Sequence, residues 1–292
     1  MRLTLPARPP FSLPVVIRSH GWFQLAPFQE DERGSSLTYV DELASGKVVE
    51  LAIQEAPGGV SVTVEDELNP AEQAEVTGKV SWMLGLDQDL SAFYDLAGQE
   101  PKLAHVPTGA RGRILRSPTL FEDVLKTILT TNTLWAATIR MTQNLVSQFG
   151  APLTADPTRH AFPSPERLAS TDEATLRAET RLGYRAPYVL ALARQVATGD
   201  LDLEALKTAD IPTAELRKRL LAIKGIGAYA TANLLMLLGR YDFIPVDSWA
   251  FKMVSSEFHG GEPVGPAEVE AAFQRWGPWK GLVYWFWKWD HE

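Results

Sequence analysis

"LLAIKGIGAYATANLLMLLGRYDFIPVDSWAFKMV" runs from Leu220 to Val254. Apolar residues recur at helical spacing up to about Ile223 and again from about Ala228, so Gly225-Ile226-Gly227 falls between two helices. Helices joined this tightly form a helix-hairpin-helix, and glycine permits the positive φ such a turn demands. The hairpin predicted here comprises Lys224, Gly225, Ile226, Gly227 and Ala228. Its second helix begins with unpaired amides, a place where an anion such as a DNA phosphate is held without any base being read. Taken alone, Gly-x-Gly reads far more simply as an ordinary αα corner with a glycine cap.

Asp247, inside Pro245-Val246-Asp247-Ser248-Trp249, changes the balance. Its position before the helical "SWAFKMV" makes it an N-cap. A carboxylate at a helix start stays ionised, and an ionised acid stabilises a developing cationic sugar.

Around this stretch lies a chain of 292 residues with 45% hydrophobic and 22% charged residues, enough to bury a sizeable core in two or three modules. It contains no cysteine, which excludes disulfides, a thiolate nucleophile, cysteine-held zinc and cysteine-held iron-sulfur clusters. Neither a secretory leader nor a membrane span is read from the sequence, and a cytoplasmic location is expected. Net charge is -8, but it is unevenly placed. Residues 1–101 carry 6 Lys+Arg against 16 Asp+Glu, while the remainder carries 22 against 20. The near-neutral remainder can still present a basic face to phosphates.

Strand-like alternation occupies residues 11–67, most clearly "SLTYVDEL", "KVVELAIQ" and "VSVTVEDE", with a turn at Ala56-Pro57-Gly58-Gly59. Helical patterns follow from Asn69-Pro70 onward; residues 101–117 read as a basic connecting loop, and Ser117-Pro118 opens a long amphipathic run to Phe149-Gly150. Further helices are expected at 165–171, 173–180, 187–198, 203–207, 213–223, 228–239, 248–258 and 266–275, with an aromatic helix at the tail. The class is α+β, mostly α: an N-terminal antiparallel sheet module (1–105) packed on a helical body holding the hairpin (106–245) and completed by C-terminal helices (246–292). The five histidines show no metal-ligand spacing and read as surface or capping residues.

The stretch from Leu220 resembles the Leu-x-x-(Pro/Lys)-Gly-(Ile/Val)-Gly hairpin and Pro-x-Asp of the helix-hairpin-helix (HhH-GPD) DNA glycosylases. Two further pieces agree. "LGYRAPYVLALA" (Leu182 to Ala193) looks like the Gly-Tyr-Arg-x-x-Tyr helix of the 8-oxoguanine branch. "WGPWKGLVYW" (Trp276 to Trp285) looks like the Trp-x-Pro closing helix of that branch and of the alkylpurine branch, the 3-methyladenine DNA glycosylase II type. The resemblance covers roughly Pro118 to Trp289.

The resemblance implies an enzyme that extrudes a damaged nucleotide from double-stranded DNA and cuts its base-sugar bond, acting as a monomer in base excision repair. It makes Asp247 the catalytic acid and sets hairpin residues 224–228 against the DNA backbone, with a monovalent K+ or Na+ on hairpin carbonyls and no other cofactor. It assigns Thr131, Asn132, Thr133 and Leu134 to the loop that enters the gap left by the flipped base, with Leu134 or Asn132 as the wedge. Where members that also nick DNA carry a lysine, this chain has Tyr229, and Lys252 reads as a surface or phosphate lysine. A monofunctional enzyme is therefore expected. Tyr229, Trp249, Tyr284, Trp285 and Lys288 are the expected base pocket, and an aromatic cleft suits cationic alkylated purines. Tyr284 and Lys288 stand where the 8-oxoguanine branch has glutamine and phenylalanine, yet the Gly-Tyr-Arg piece favours that branch. The alternatives are thus an 8-oxoguanine-type glycosylase with weak or no lyase activity, and a non-catalytic lesion-binding protein.

Overall fold

The computed structural model describes residues 1–289. Its only sheet among these residues has five antiparallel strands in the order β1-β5-β4-β3-β2. They are β1 (Arg2–Pro6), then, after the short helix α1 (Leu13–Ile17), β2 (Phe28–Glu30), β3 (Ser36–Glu42), β4 (Val48–Ala56) and β5 (Gly59–Thr63). The three central strands are those that sequence alternation predicts. The two edges, β1 and β2, were not predicted individually: one ends on a proline and the other has three residues. The turn between β4 and β5 is the one expected, with Pro57 ahead of Gly58 at φ +74 and Ala56 paired to Gly59.

Asn69 starts α2 (Pro70–Leu84) through a capping box: its side chain accepts from Glu72 N at 3.0 Å, and Glu72 Oε2 accepts from Asn69 N at 2.9 Å. Next come α3 (Ser91–Ala97) and, within the segment expected to be a loop, α4 (His105–Thr108). That segment folds because Leu103 and Val106 are apolar anchors with no exposure. The long amphipathic run is two helices, α5 (Leu120–Thr130) and α6 (Trp135–Phe149), separated at 131–134, the residues that the resemblance assigns to a loop. The remaining helices are α7 (Pro165–Ala169), α8 (Glu173–Thr180), α9 (Ala186–Ala197), α10 (Thr213–Leu221), α11 (Ala228–Leu237), α12 (Ser248–Phe258), α13 (Pro266–Phe273) and α14 (Lys280–Phe286). Among the described residues, no helix is long and apolar enough to cross a membrane.

Internal packing divides the chain into two units. The first joins Met1–Gln88 to Arg113–Thr208, and so holds the sheet together with α5 to α9. The second joins Asp89–Gly112 to the chain from Ala209 onward.

In the first unit α5 is buried from Leu120 to Leu129, charges included. Glu122 accepts from Tyr39 Oη and Lys126 Nζ, each at 2.5 Å, and Lys126 lies 4.6 Å from the centre of the Phe28 ring. Asp123 Oδ1 accepts from Trp22 Nε1 at 2.7 Å and Ser117 N at 2.9 Å. Burial nonetheless pushes Asp123 up to about 6. His20, half-buried against Trp22 at 4.1 Å and just ahead of the 3-10 helix Gly21–Gln24, is pushed down to about 3 by burial and then by the Lys126 charge.

Candidate functional site

In the second unit α10 and α11 form the hairpin. Ile223 and Ile226 point inward at 5% and 6% exposure and lock the reversal, with Ile226 N donating to Ile223 O at 3.1 Å. That leaves Lys224, Gly227 and Ala228 outside. Gly225 has φ +89, where glycine is required. Gly227 does not share this reason: its φ is -98, ordinary for any residue. What Gly227 supplies is room, because a Cβ there would meet nothing within 4 Å and no side chain caps the amides of α11. The arrangement leaves donors facing an open surface, suited to an anion that must come close to the backbone.

The chain leaves α11 through Gly239 at φ +75 and is then held along its length. Tyr241 is buried and stacks on Trp279 at 5.9 Å, Ile244 is buried, and Gly281 N of α14 donates to Tyr241 O at 2.6 Å. A Cβ on Gly281 would come within 2.6 Å of Phe243 O, so this glycine allows the strap to lie directly on α14. The strap delivers Asp247 to the start of α12. There Oδ1 accepts from Ala250 N at 2.8 Å, an N-cap as the sequence predicts. The cap uses one carboxylate oxygen and leaves the other for a ligand or a water molecule.

Around Asp247 the structure gathers three of the expected pocket residues. Tyr229 projects from the first turn of α11, 48% exposed, and Trp249 from the first turn of α12, 40% exposed. Tyr284 of α14 is buried, and its phenol is raised well above the usual range by that burial first, then by the field of Asp247, then by Tyr229. It therefore remains a neutral donor. Trp249 meets Tyr284 edge-on at 5.8 Å and Trp289 at 5.3 Å, and Tyr284 meets Trp289 at 5.8 Å. The result is a braced aromatic wall with Trp249 as its exposed face. Trp285 borders a small pocket with Ala232, Met236, Phe243 and Pro245, a pocket that Tyr284 lines as well. Lys288 is exposed beyond α14, its backbone N donating to Lys102 O at 3.3 Å and its charge helping to lower His105. Trp276, Trp287 and Trp289 are core. Lys252 is exposed on α12.

The 131–134 loop belongs to the first unit. Asn132 has φ +46, a conformation asparagine tolerates better than most residues, and Leu134 is 81% exposed. The carbonyl of Thr131 accepts from Tyr184 Oη at 3.2 Å and from Arg185 Nη2, which also reaches Asn132 O at 3.2 Å. The Gly-Tyr-Arg piece thus ties down this loop, and Arg185 is a site residue that sequence reasoning quoted without assigning. A cavity of about 770 Å³ in the same unit is lined by Asp41, Glu42, Glu75, Glu122, Glu166 and Glu204 among others. Its charge is the wrong sign for a polyanion. Among the described residues, no three His, Asp or Glu side chains are grouped to hold a metal ion.

With this geometry in place, comparison with known proteins gives a consistent picture. The sequence profile of the HhH-GPD superfamily base excision DNA repair proteins matches residues 125–278. The chain is similar to the DNA-3-methyladenine glycosylase of Bacillus subtilis (strain 168), at 28% identity over 191 residues, 62% of this chain and 61% of that protein. The chain thus spans about three fifths of the length of the curated relatives it matches, 61% and 63% for the first two. Among solved structures, the 3-methyladenine DNA-glycosylase from Archaeoglobus fulgidus superposes with a TM-score of 0.75 at 19% identity, over 98% of this chain and 97% of the other. The 8-oxoguanine glycosylase/lyase of Clostridium acetobutylicum in its apo form gives 0.72 at 22% identity, over 94% and 91%. At these identities the likeness is one of fold.

Proposed function

Because the chain belongs to the HhH-GPD superfamily of base excision DNA repair proteins, we propose that it is a monofunctional DNA glycosylase that hydrolyses the N-glycosidic bond of alkylated or deaminated purines. The observation that carries this reading is Asp247, fixed by its cap to Ala250 with one carboxylate oxygen uncommitted, beside the exposed faces of Tyr229 and Trp249.

In this reading the uncapped amides of α11 hold a backbone phosphate of double-stranded DNA, with Lys224 beside them. The residues fit a monovalent K+ or Na+ as well, since none of the hydrogen bonds of the reversal uses the carbonyls of Ala222, Lys224 or Gly225. Such an ion would add positive charge next to the phosphate. Leu134 enters the duplex as the target nucleotide leaves it, and the extruded base lies against the aromatic wall. A cationic alkylated purine gains there from the electron-rich faces of Trp249 and Tyr229. As the bond from C1′ to the base nitrogen breaks, Asp247 stabilises the oxocarbenium-like sugar. It accepts a proton from the water whose oxygen forms the new bond to C1′, while the electron pair of the broken bond leaves with the base. Tyr229 stands where lyase members carry an amine, so water rather than the protein becomes the nucleophile. A second reading, removal of 8-oxoguanine, draws on the resemblance of the Gly183-Tyr184-Arg185 piece to that branch.

The test is single-turnover cleavage of end-labelled duplexes carrying hypoxanthine, a methylated adenine, 8-oxoguanine or uracil, each with and without hot alkali. Breaks that need alkali are expected with an alkylated or deaminated purine. Breaks without alkali would reveal a lyase, and no breaks on any duplex would leave a lesion-binding protein.

A further inference from the structure

The N-terminal module has no role in the chemistry described so far, yet one of its segments reaches the 131–134 loop. Trp135, the first residue of α6 and the one after Leu134, donates from Nε1 to Gln24 Oε1 at 2.8 Å. Gln24 ends a short 3-10 helix, Gly21–Gln24. The Trp135 ring lies flush on that helix: a Cβ added to Gly21 would stand 2.7 Å from both Cη2 and Cζ2. Gly21 is not among the positive-φ glycines, so it is needed for space and not for backbone freedom. The opposite flank of the loop is held by Arg185 and by Thr131 Oγ1, which donates to Ile128 O at 2.7 Å. Between two fixed flanks, Leu134 projects into solvent.

From this geometry we infer that Trp135 is a positioning residue, seated by Gly21 and Gln24 of the N-terminal module, that aims Leu134 for insertion into duplex DNA. The inference rests on the glycosylase reading above. A side chain that must enter a base stack loses less entropy if its direction is set beforehand. The Leu134 side chain is too exposed for packing to direct it, so the rigid indole next to it does. The charge pattern agrees. Although residues 1–101 are strongly acidic, positions 19–29, "SHGWFQLAPFQ", contain no Asp, Glu, Lys or Arg. The segment that meets the loop is thus uncharged within a strongly acidic part of the chain.

The test compares single-turnover excision from a fully paired duplex with excision of the same lesion held in a bulge, where no pair has to be opened. It uses Gly21→Ala, Gln24→Ala and Gln24→Glu. The ratio of paired to bulged rates is expected to fall about fivefold in Gly21→Ala and Gln24→Ala, and to stay near wild type in Gln24→Glu, which keeps the acceptor. Gln24 lies at the surface, so this pair remains informative even where Gly21→Ala fails to fold. An unchanged ratio, or an equal loss on both substrates, would overturn the inference. If the wild type excises nothing, the glycosylase reading has failed. The fluorescence of a 2-aminopurine beside the lesion then decides separately: the wild type must unstack it and Gln24→Ala must do so less, and equal signals reject the inference.

Discussion

The phenol of Tyr284 sits in the electrostatic field of Asp247, and burial together with that negative charge keeps it protonated. A neutral hydroxyl is thereby held near an ionised acid at a helix start, able to donate but not to add charge. Tyr284→Phe removes the donor and keeps the ring contacts with Trp249, Phe273 and Trp289. Excision is expected to drop about tenfold, the scale of one hydrogen bond to a charged group, with little change in melting temperature. Single-turnover rates from pH 7 to 10 give the second check. A falling limb near pH 10 that vanishes in the variant would contradict a phenol held protonated.

Asp247→Asn separates the two roles of the acid. Asparagine caps helices nearly as well as aspartate, so α12 should persist. Excision is expected to fall at least about a thousandfold, because an amide can neither stabilise a cationic sugar nor take a proton from water. Binding to a duplex with an abasic-site analogue, at one stated salt concentration, should stay within about threefold. Joint loss of binding and excision would mean that Asp247 only caps the helix.

A covalent route is tested with borohydride, which traps a Schiff base. The expected result is no trapped adduct with the wild type, since Tyr229 offers no amine, and unchanged excision in Lys252→Gln. A trapped adduct lost in Lys252→Gln would make the exposed Lys252 the nucleophile and the enzyme a lyase.

The hairpin and Asp247 were readable because their signals are local: two glycines, two apolar periods and an acid before a helix lie within 35 residues. The central strands and the Asn69 cap were readable for the same reason. What the sequence hides are pairings across distance. β1 becomes a strand because β5, nearly sixty residues later, pairs with Arg2 to Pro6. Glu122, Asp123 and Lys126 look like a solvated helix face and are instead buried, with Tyr39 donating to Glu122, Trp22 to Asp123 and Lys126 to Glu122. The break at 131–134 depends on Arg185, more than fifty residues away, taking its carbonyls. Gly227 marks the opposite error: its place in the hairpin is right, but the reason is open space rather than positive φ.

Buried Asp123 gives a pH-dependent prediction whose sign is the reverse of a surface carboxylate's. Its folded value is about 6 against an ordinary 3.8, so between these values the folded state holds more proton than the unfolded state. Stability linked to this group is therefore greatest at low pH, declines as pH rises from about 4 to about 6, and is flat above. Asparagine retains the oxygen that accepts from Trp22 and Ser117 but carries no charge to desolvate. Chemical denaturation of wild type and Asp123→Asn at pH 4 and pH 7 should show the variant gaining relative stability as pH rises, by about 3 kcal/mol at most. A relative gain for the wild type over that interval would mean that Asp123 is stabilised as a carboxylate by its two donors, outweighing its burial.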